Sequence, residues 1–364
     1  MTFVPSPLLT RRGAVASPAD PELAWHYGDP LREQRAASRG PVLFDGWTGG
    51  LLTVTGADRL TWLHALASQD FAGLADGDAT EALWLSPQGH VEHWADACEI
   101  GGTVWLRTEP GCAAPLAEFL RSMRFRADVE IADMTADFAS LTVAGAGAAD
   151  LSAAFSGMTA IAASRVARVE TGWAAGVLVR AYDDRVALTV SRNAFGAVAQ
   201  QLIDAGATPA GTWAADALRI AARRPRFGVD NDARTIPNET PWLASAVHLH
   251  KGCYRGQETV AKVDNVGLPP RRLVLLNLDG SGDSLPVTGD LVTTKDGKTV
   301  GRVGTVAQHW ENGPIALALV KRTIGPGVPL LAGDVDAMVD PDDAVVDRPR
   351  FQVDRRTFAD LRRR

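Results

Sequence analysis

Hydrophobic positions along this chain fall into short strand–helix units rather than one repeating period. Leu51-Leu52-Thr53-Val54-Thr55 reads as a strand ending at Gly56, and within Asp58 to Ser68 the residues Leu60, Leu63 and Ala67 share one helical face. The unit recurs weakly at Leu141 to Gly145 and the helical stretch Ala148 to Phe155, where Val143, Gly145 and Ala146 match Val54, Gly56 and Ala57. Between the copies, Glu81 to Leu85 and Val91 to Ile100 predict strands around a Ser86-Pro87-Gln88-Gly89 turn. A strand at Thr103 to Arg107 precedes a helix whose Leu116, Phe119, Leu120 and Met123 form an i, i+3, i+4, i+7 stripe. Phe195, Val198 and Leu202 mark a helix stopped by Gly206; Trp213, Ala217 and Ile220 mark another stopped by Pro225. Strands followed by isolated helices make an α+β texture.

After Pro269-Pro270 the pattern changes to short strand runs at Arg272 to Leu278, Asp290 to Thr294, Thr299 to Val306 and Pro314 to Val320. Asp296-Gly297 is a tight hairpin signal between two of them, so a small antiparallel β-barrel is expected. Met1 to Gly40 shows no sustained period and reads as an extension with a short helix at Pro30 to Ser38. The chain end carries seven arginines between Arg348 and Arg364, offset by Asp354 and Asp360, and reads as a solvated tail.

Composition narrows the class. The 364 residues are 46% hydrophobic and 22% charged, which suits a soluble protein of two or three domains. A net charge of −6 gives no global attraction to nucleic acid or anionic lipid. The most membrane-like window, Leu141 to Ala163, is interrupted by Asp150 and too weakly apolar to span a bilayer. No apolar stretch follows Arg11-Arg12, so no secretory leader is expected. Cys98, Cys112 and Cys253 are widely spaced, which argues against a disulfide framework and against a protein-held iron–sulfur cluster needing about four thiolates. A cytoplasmic monomer with no metal of its own is the expectation.

Few segments carry chemistry. Gly145, Gly147 and Asp150 follow a strand as a dinucleotide loop would, but the third glycine is missing and a plain tight turn explains them. His90 and His93 fall on opposite faces of an extended strand, and His248, His250 and Cys253 lack a fourth metal ligand. The sharpest feature is Lys251-Gly252-Cys253-Tyr254-Arg255-Gly256-Gln257-Glu258. Two glycines bracket a thiol, two cations flank it, and a helix starts at Gln257, so Cys253 reads either as a reactive thiol or as a small residue needed in a tight loop. Upstream, Arg219, Arg223, Arg224 and Arg226 crowd one helix end, as a solvated face or as a clamp for carboxylate or phosphate.

The octapeptide resembles the hallmark of the YgfZ-type folate-binding proteins of iron–sulfur cluster assembly and repair, relatives of the glycine cleavage T-protein, an aminomethyltransferase. Val54 to Asp58 with Trp62-Leu63, Leu85 to Gly89, Leu218 to Glu239 and Gly301 to Val320 resemble further stretches of the same family. The resemblance implies a three-domain cloverleaf of the aminomethyltransferase type with a C-terminal antiparallel β-barrel. Its expected parts are an extension at 1–40, a discontinuous α+β domain at 41–60 plus 137–225, and an inserted α+β domain with the thiol loop at 61–136 plus 226–268. A barrel at 271–345 and a tail at 346–364 complete it.

By the same resemblance, tetrahydrofolate or its polyglutamate form contacts Leu85, Glu92, Trp173, Arg219, Arg223 and Arg226, with Cys253 at the cleft mouth. Lys251 and Arg255 favour the thiolate, Tyr254 packs against the ligand, Gly252 and Gly256 shape the loop, and Gln257 and Glu258 cap the helix or bond the loop. Partners would be iron–sulfur client or assembly proteins, including enzymes that modify transfer RNA, with no direct nucleic-acid or membrane contact. The departures favour this branch over aminomethyl transfer. Glu92 and His93 stand where the transferases have an acidic pair, 171–176 lacks their pterin-anchoring Glu, and Arg219-Ile220-Ala221 replaces their Arg-Leu-Glu. The alternative is a folate-dependent aminomethyltransferase or demethylase using groups near Glu92 and Asp96. A Cys–His hydrolase using His248 or His250 lacks an oxyanion motif.

Overall fold

The computed structural model describes residues 4–156, 162, 164–169, 176–265, 267–282 and 284–344. Two mixed layers and a barrel surround a central opening.

The first sheet has six strands in the order Val166–Arg168, Leu178–Ala181, Arg185–Ser191, Phe138–Gly145, Pro41–Gly46 and Thr208–Ala210. All its ladders are antiparallel except Thr208–Ala210 against Pro41–Gly46. Alternation places Leu141, Val143, Leu188 and Val190 on one face, where Phe195, Val198 and Leu202 of helix Arg192–Asp204 cover them. Gly206, with φ +111°, ends that helix as its sequence position suggests.

The second sheet has five strands, ordered Ala79–Leu85, Val91–Ile100, Thr103–Thr108, Gly50–Thr55 and Glu130–Asp133. Helices Arg59–Leu66 and Ala113–Ser122 bury Leu63, Leu116 and Leu120 against Leu52, Val54, Trp84 and Leu106. Gly50–Thr55 therefore pairs in this sheet, whereas the expected boundary at residue 60 grouped it with the first; the chain changes sheets at 47–49. The weak duplication has a geometric counterpart. Gly56 and Gly145 both leave their strands at positive φ, +105° and +90°, and a side chain on either would strike a backbone carbonyl, Asp128 O at 2.1 Å or Ala37 O at 2.5 Å.

Six strands close an antiparallel barrel in the order Arg271–Leu278, Gly313–Lys321, Thr299–His309, Leu291–Thr294, Leu330–Ala332 and Val335–Val339. The Asp296-Gly297 hairpin is present, with Gly297 at φ +85°. Helix Thr212–Ala221 lays Ala217 and Ile220 on Leu275, Ala307, Ile315 and Leu317 of the barrel. The fold is thus α+β, with two mixed layers and a C-terminal antiparallel barrel, as expected.

The segment read as an extension is packed. Helix Pro30–Ala36 is capped by the Asp29 carboxylate, Glu33 accepts from Gly211 N at 2.9 Å, and Gln34 Nε2 donates to Gln308 O at 2.9 Å in the barrel. Trp25 stacks on Trp213 with ring centroids 4.5 Å apart. Such contacts join elements far apart in sequence, so no local period announces them. The tail at 346–364 lies outside the described residues.

Candidate functional site

The octapeptide forms a loop clamped from two sides. Lys251 is buried, and its ammonium donates to the carbonyls of His64, Ala67 (2.7 Å) and Gln69 (3.0 Å). These carbonyls lie at the C-terminal end of helix Arg59–Leu66, where unsatisfied oxygens and the helix dipole favour a cation. Burial, set against a nearby Asp70, pulls the Lys251 pKa down to about 8. Gly256 makes the second clamp. Its φ is +81°, and an added Cβ would sit 2.4 Å from Ser86 O and 2.9 Å from Gly89 Cα. Gly89, at φ +83°, leaves equally little room before Thr259. The Ser86–Gly89 turn and the thiol loop thus interlock through two glycines. Gly252 has open space around it and an ordinary φ, so the expectation that it shapes the loop is not met.

Gly256→Ala should therefore cost about 2–3 kcal/mol through overpacking and strain. Gly252→Ala should stay within about 0.5 kcal/mol. Urea unfolding of the two variants side by side measures the contrast, and equal midpoints would contradict the interlock.

Other loop residues take roles that differ from those expected. Tyr254 is buried among Leu83, Leu85, Val91, Trp242 and Val260, and burial pushes its phenol up to about 12, so it serves the core rather than a ligand. Arg255 pairs with Glu92 at 3.2 Å and lies over the Phe119 ring at 5.8 Å. Neither flanking cation is left to the sulfur alone. Gln257 Nε2 bonds Lys251 O at 3.3 Å, and Glu258 is exposed in the first turn of helix Gln257–Asn265. Cys253 itself is exposed, Cys112 half-buried and Cys98 buried. Among the described residues, no group of three or more His, Cys, Asp or Glu could hold a metal.

A cavity of about 830 Å³ occupies the central opening. Phe44, Arg180 and Tyr182 line it from the first sheet side, Glu81, Trp94, Arg107 and Glu109 from the second, and Asp216, Arg219, Arg224 and Arg226 from the helix that leads to the barrel. No octapeptide residue lines it. Cys253 therefore does not stand in its wall. Leu85 is core, Glu92 is held outward by Arg255, and Arg223 reaches Asp340 (2.8 Å) and Asp343 (2.9 Å) beyond the barrel, so none of these three expected contacts borders the cavity. Arg219 and Arg226 do border it. Arg219 is heavily engaged, donating to Asp230 (2.8 Å), Asp216 (3.1 Å) and Thr305 Oγ1 (2.7 Å). Trp173 lies outside the described residues.

Three of the wall residues, Arg107, Arg180 and Tyr182, converge on an acid that no motif marked. Asp96 accepts from Arg180 Nε at 2.7 Å, Arg107 Nη2 at 2.9 Å and the Tyr182 hydroxyl at 2.6 Å. Burial alone would raise its pKa, but Arg180, Arg107 and Tyr182 outweigh it and hold the carboxyl below the usual range. It is thus no acid–base group for transfer chemistry. The sequence signal was a lone charge inside the apolar run Ala95 to Cys98. Glu81 and Glu109, by contrast, have raised pKa values because burial exceeds the help of Ser245 and of Arg226 respectively.

The fold is the cloverleaf of the aminomethyltransferase type. The family model for the GCVT N-terminal domain matches residues 11–251, and the chain belongs to that family. It is 27% identical over 278 residues to a chloroplast protein of Arabidopsis thaliana named as a transferase, covering 74% of this chain but only 62% of that one. It is 26% identical over 361 residues to an aminomethyltransferase of Synechococcus sp. (strain CC9311), covering 93% and 95%. The tRNA-modifying protein YgfZ of Escherichia coli O157:H7 is 27% identical over 300 residues, covering 80% and 89%. Among solved structures, the glycine cleavage system aminomethyltransferase T of Bartonella henselae superposes with a TM-score of 0.81 over 96% of this chain and 100% of that one, at 18% identity. No helix among the described residues is long and apolar enough to cross a membrane.

Proposed function

We propose that this chain is a cytoplasmic, monomeric tetrahydrofolate-binding protein that supports assembly or repair of iron–sulfur clusters in client enzymes, including enzymes that modify transfer RNA. One observation carries the reading: Cys253 is exposed on a doubly clamped loop and does not line the cavity. A thiol held there meets a protein partner, while the cavity takes a small molecule. The cavity's size falls in the range of small-molecule sites, and its wall suits folate. Carboxylates such as Glu81 and Glu109 match the donor edge of a pterin, and arginines such as Arg226 match glutamate carboxylates. The relative named as a tRNA-modifying protein supports the client class. The long similarity to an aminomethyltransferase favours a second reading, folate-dependent one-carbon transfer.

Cys253→Ala should abolish support of iron–sulfur enzyme activities in a deletion strain. Stability should change by less than about 1 kcal/mol, because the side chain is exposed. The purified variant should still gain about 2.7 kcal/mol of stability from tetrahydrofolate at a hundredfold excess over its dissociation constant. Full rescue by the alanine variant removes the thiol's role, and absence of any folate-dependent Tm shift in wild type removes the ligand. Release of methylene-tetrahydrofolate from an amine substrate would establish the second reading instead.

A further inference from the structure

Asp96, Arg107 and Arg180 meet where strand Val91–Ile100 of the second sheet approaches strand Leu178–Ala181 of the first. One carboxylate there serves two guanidiniums, and its oxygens also take the Tyr182 hydroxyl. Arg180 is buried and Arg107 about a fifth exposed, so within this cluster the two guanidiniums carry one positive charge more than Asp96 balances.

Beside this cluster lies a second cavity of about 20 Å³. Its wall includes Asp96, Arg107, Arg180, Trp105, Cys98 and Thr189. That volume admits one atom-sized guest. Two buried donors of the wall have no acceptor, Arg180 Nη1 and Trp105 Nε1, and Arg180 as a whole is 7% exposed. No wall residue supplies the missing negative charge. Burial, reinforced by Asp96, pushes the Cys98 thiol up to about 12, so it stays neutral. The next charges outward, Glu81 and Arg185, face the large cavity, where Glu81 feels Arg180 and Asp96 as well as Arg185.

We propose that this small cavity is a binding site for a single monatomic anion of the halide class, held by Arg180 Nη1 and Trp105 Nε1 between the two sheets. A neutral water would satisfy the donors but leave the charge surplus in place. A halide does both. The site is separate from the folate cavity, although Arg107 and Arg180 border each.

Thermal unfolding of the full chain in sodium chloride, sodium bromide and sodium gluconate at matched ionic strength tests this, gluconate being too large to enter. Chloride and bromide should raise the Tm saturably, by roughly 3 °C or more above gluconate. Trp105→Phe removes one donor while keeping a ring against Phe138. It should raise the half-saturating halide concentration roughly tenfold. Crystals grown in bromide should show an anomalous peak within hydrogen-bonding distance of Arg180 Nη1. The same Tm in all three salts, or a bromide crystal with only a water at that position, overturns the proposal.

Discussion

Asp230→Ala should lower the unfolding free energy by about 3–5 kcal/mol and the Tm by roughly 10 °C. Asp230 is 1% exposed, and its two oxygens accept from Arg219 Nη1 (2.8 Å), Arg226 N (2.7 Å), Thr305 N (2.6 Å) and Thr305 Oγ1 (2.8 Å). The carboxylate joins helix Thr212–Ala221, the segment after it and barrel strand Thr299–His309. Removing it leaves a half-buried guanidinium and two backbone donors short of their acceptor. No water-filled space replaces it easily, because the Gly304 backbone is packed against the same carboxylate. Asp230→Asn keeps the shape and loses only the charge, so it should fall between alanine and wild type. Calorimetry of the three proteins gives the order, and an alanine variant melting with wild type would refute the role.

Asp96→Ala should cost a similar amount, about 3–5 kcal/mol, since it strands the buried Arg180 and the partly buried Arg107. This residue also predicts a pH dependence of definite sign. Its folded pKa lies below the unfolded value of about 3.9, so its contribution is complete above that pH and disappears as pH falls through the folded value. Wild-type stability should therefore decline more steeply below about pH 4 than that of Asp96→Ala. Denaturant titrations at a series of acid pH values measure the difference, and parallel curves would show that the carboxylate is not ionised in the cluster.

The layout of the fold was largely legible because its elements follow their own periods. The Ser86-Pro87-Gln88-Gly89 turn before strand Val91–Ile100, the stripe through Leu116 and Leu120, and the Asp296-Gly297 turn each report local geometry directly. The barrel strands Leu330–Ala332 and Val335–Val339 were not found, because runs that short show too few alternations to stand out. The N-terminal packing was invisible for a different reason: Glu33, Gln34 and Trp25 find their partners across the tertiary structure.

The site was legible as an address more than as a set of roles. The octapeptide located a constrained loop, yet sequence proximity suggested that Lys251 serves the neighbouring sulfur. In space its ammonium closes a helix that begins nearly two hundred positions earlier in the chain. Likewise Arg219, Arg223 and Arg226 looked like one cluster, but Arg223 turns away to Asp340 and Asp343 while Arg219 and Arg226 stay near Asp216. The Asp96 cluster draws on three strands, so no contiguous motif could contain it.

The chain passes from the first sheet to the second through residues 47–49 and returns through 134–137. Links of that length span only about 10–14 Å each, and two of them side by side act as a double strap. Separation of one sheet from the other is limited to that span. Traffic into the central opening must then depend on the barrel side, where residues 222–270 separate helix Thr212–Ala221 from the first barrel strand and no short strap joins them. A cysteine pair engineered across that flank would be the way to lock the door.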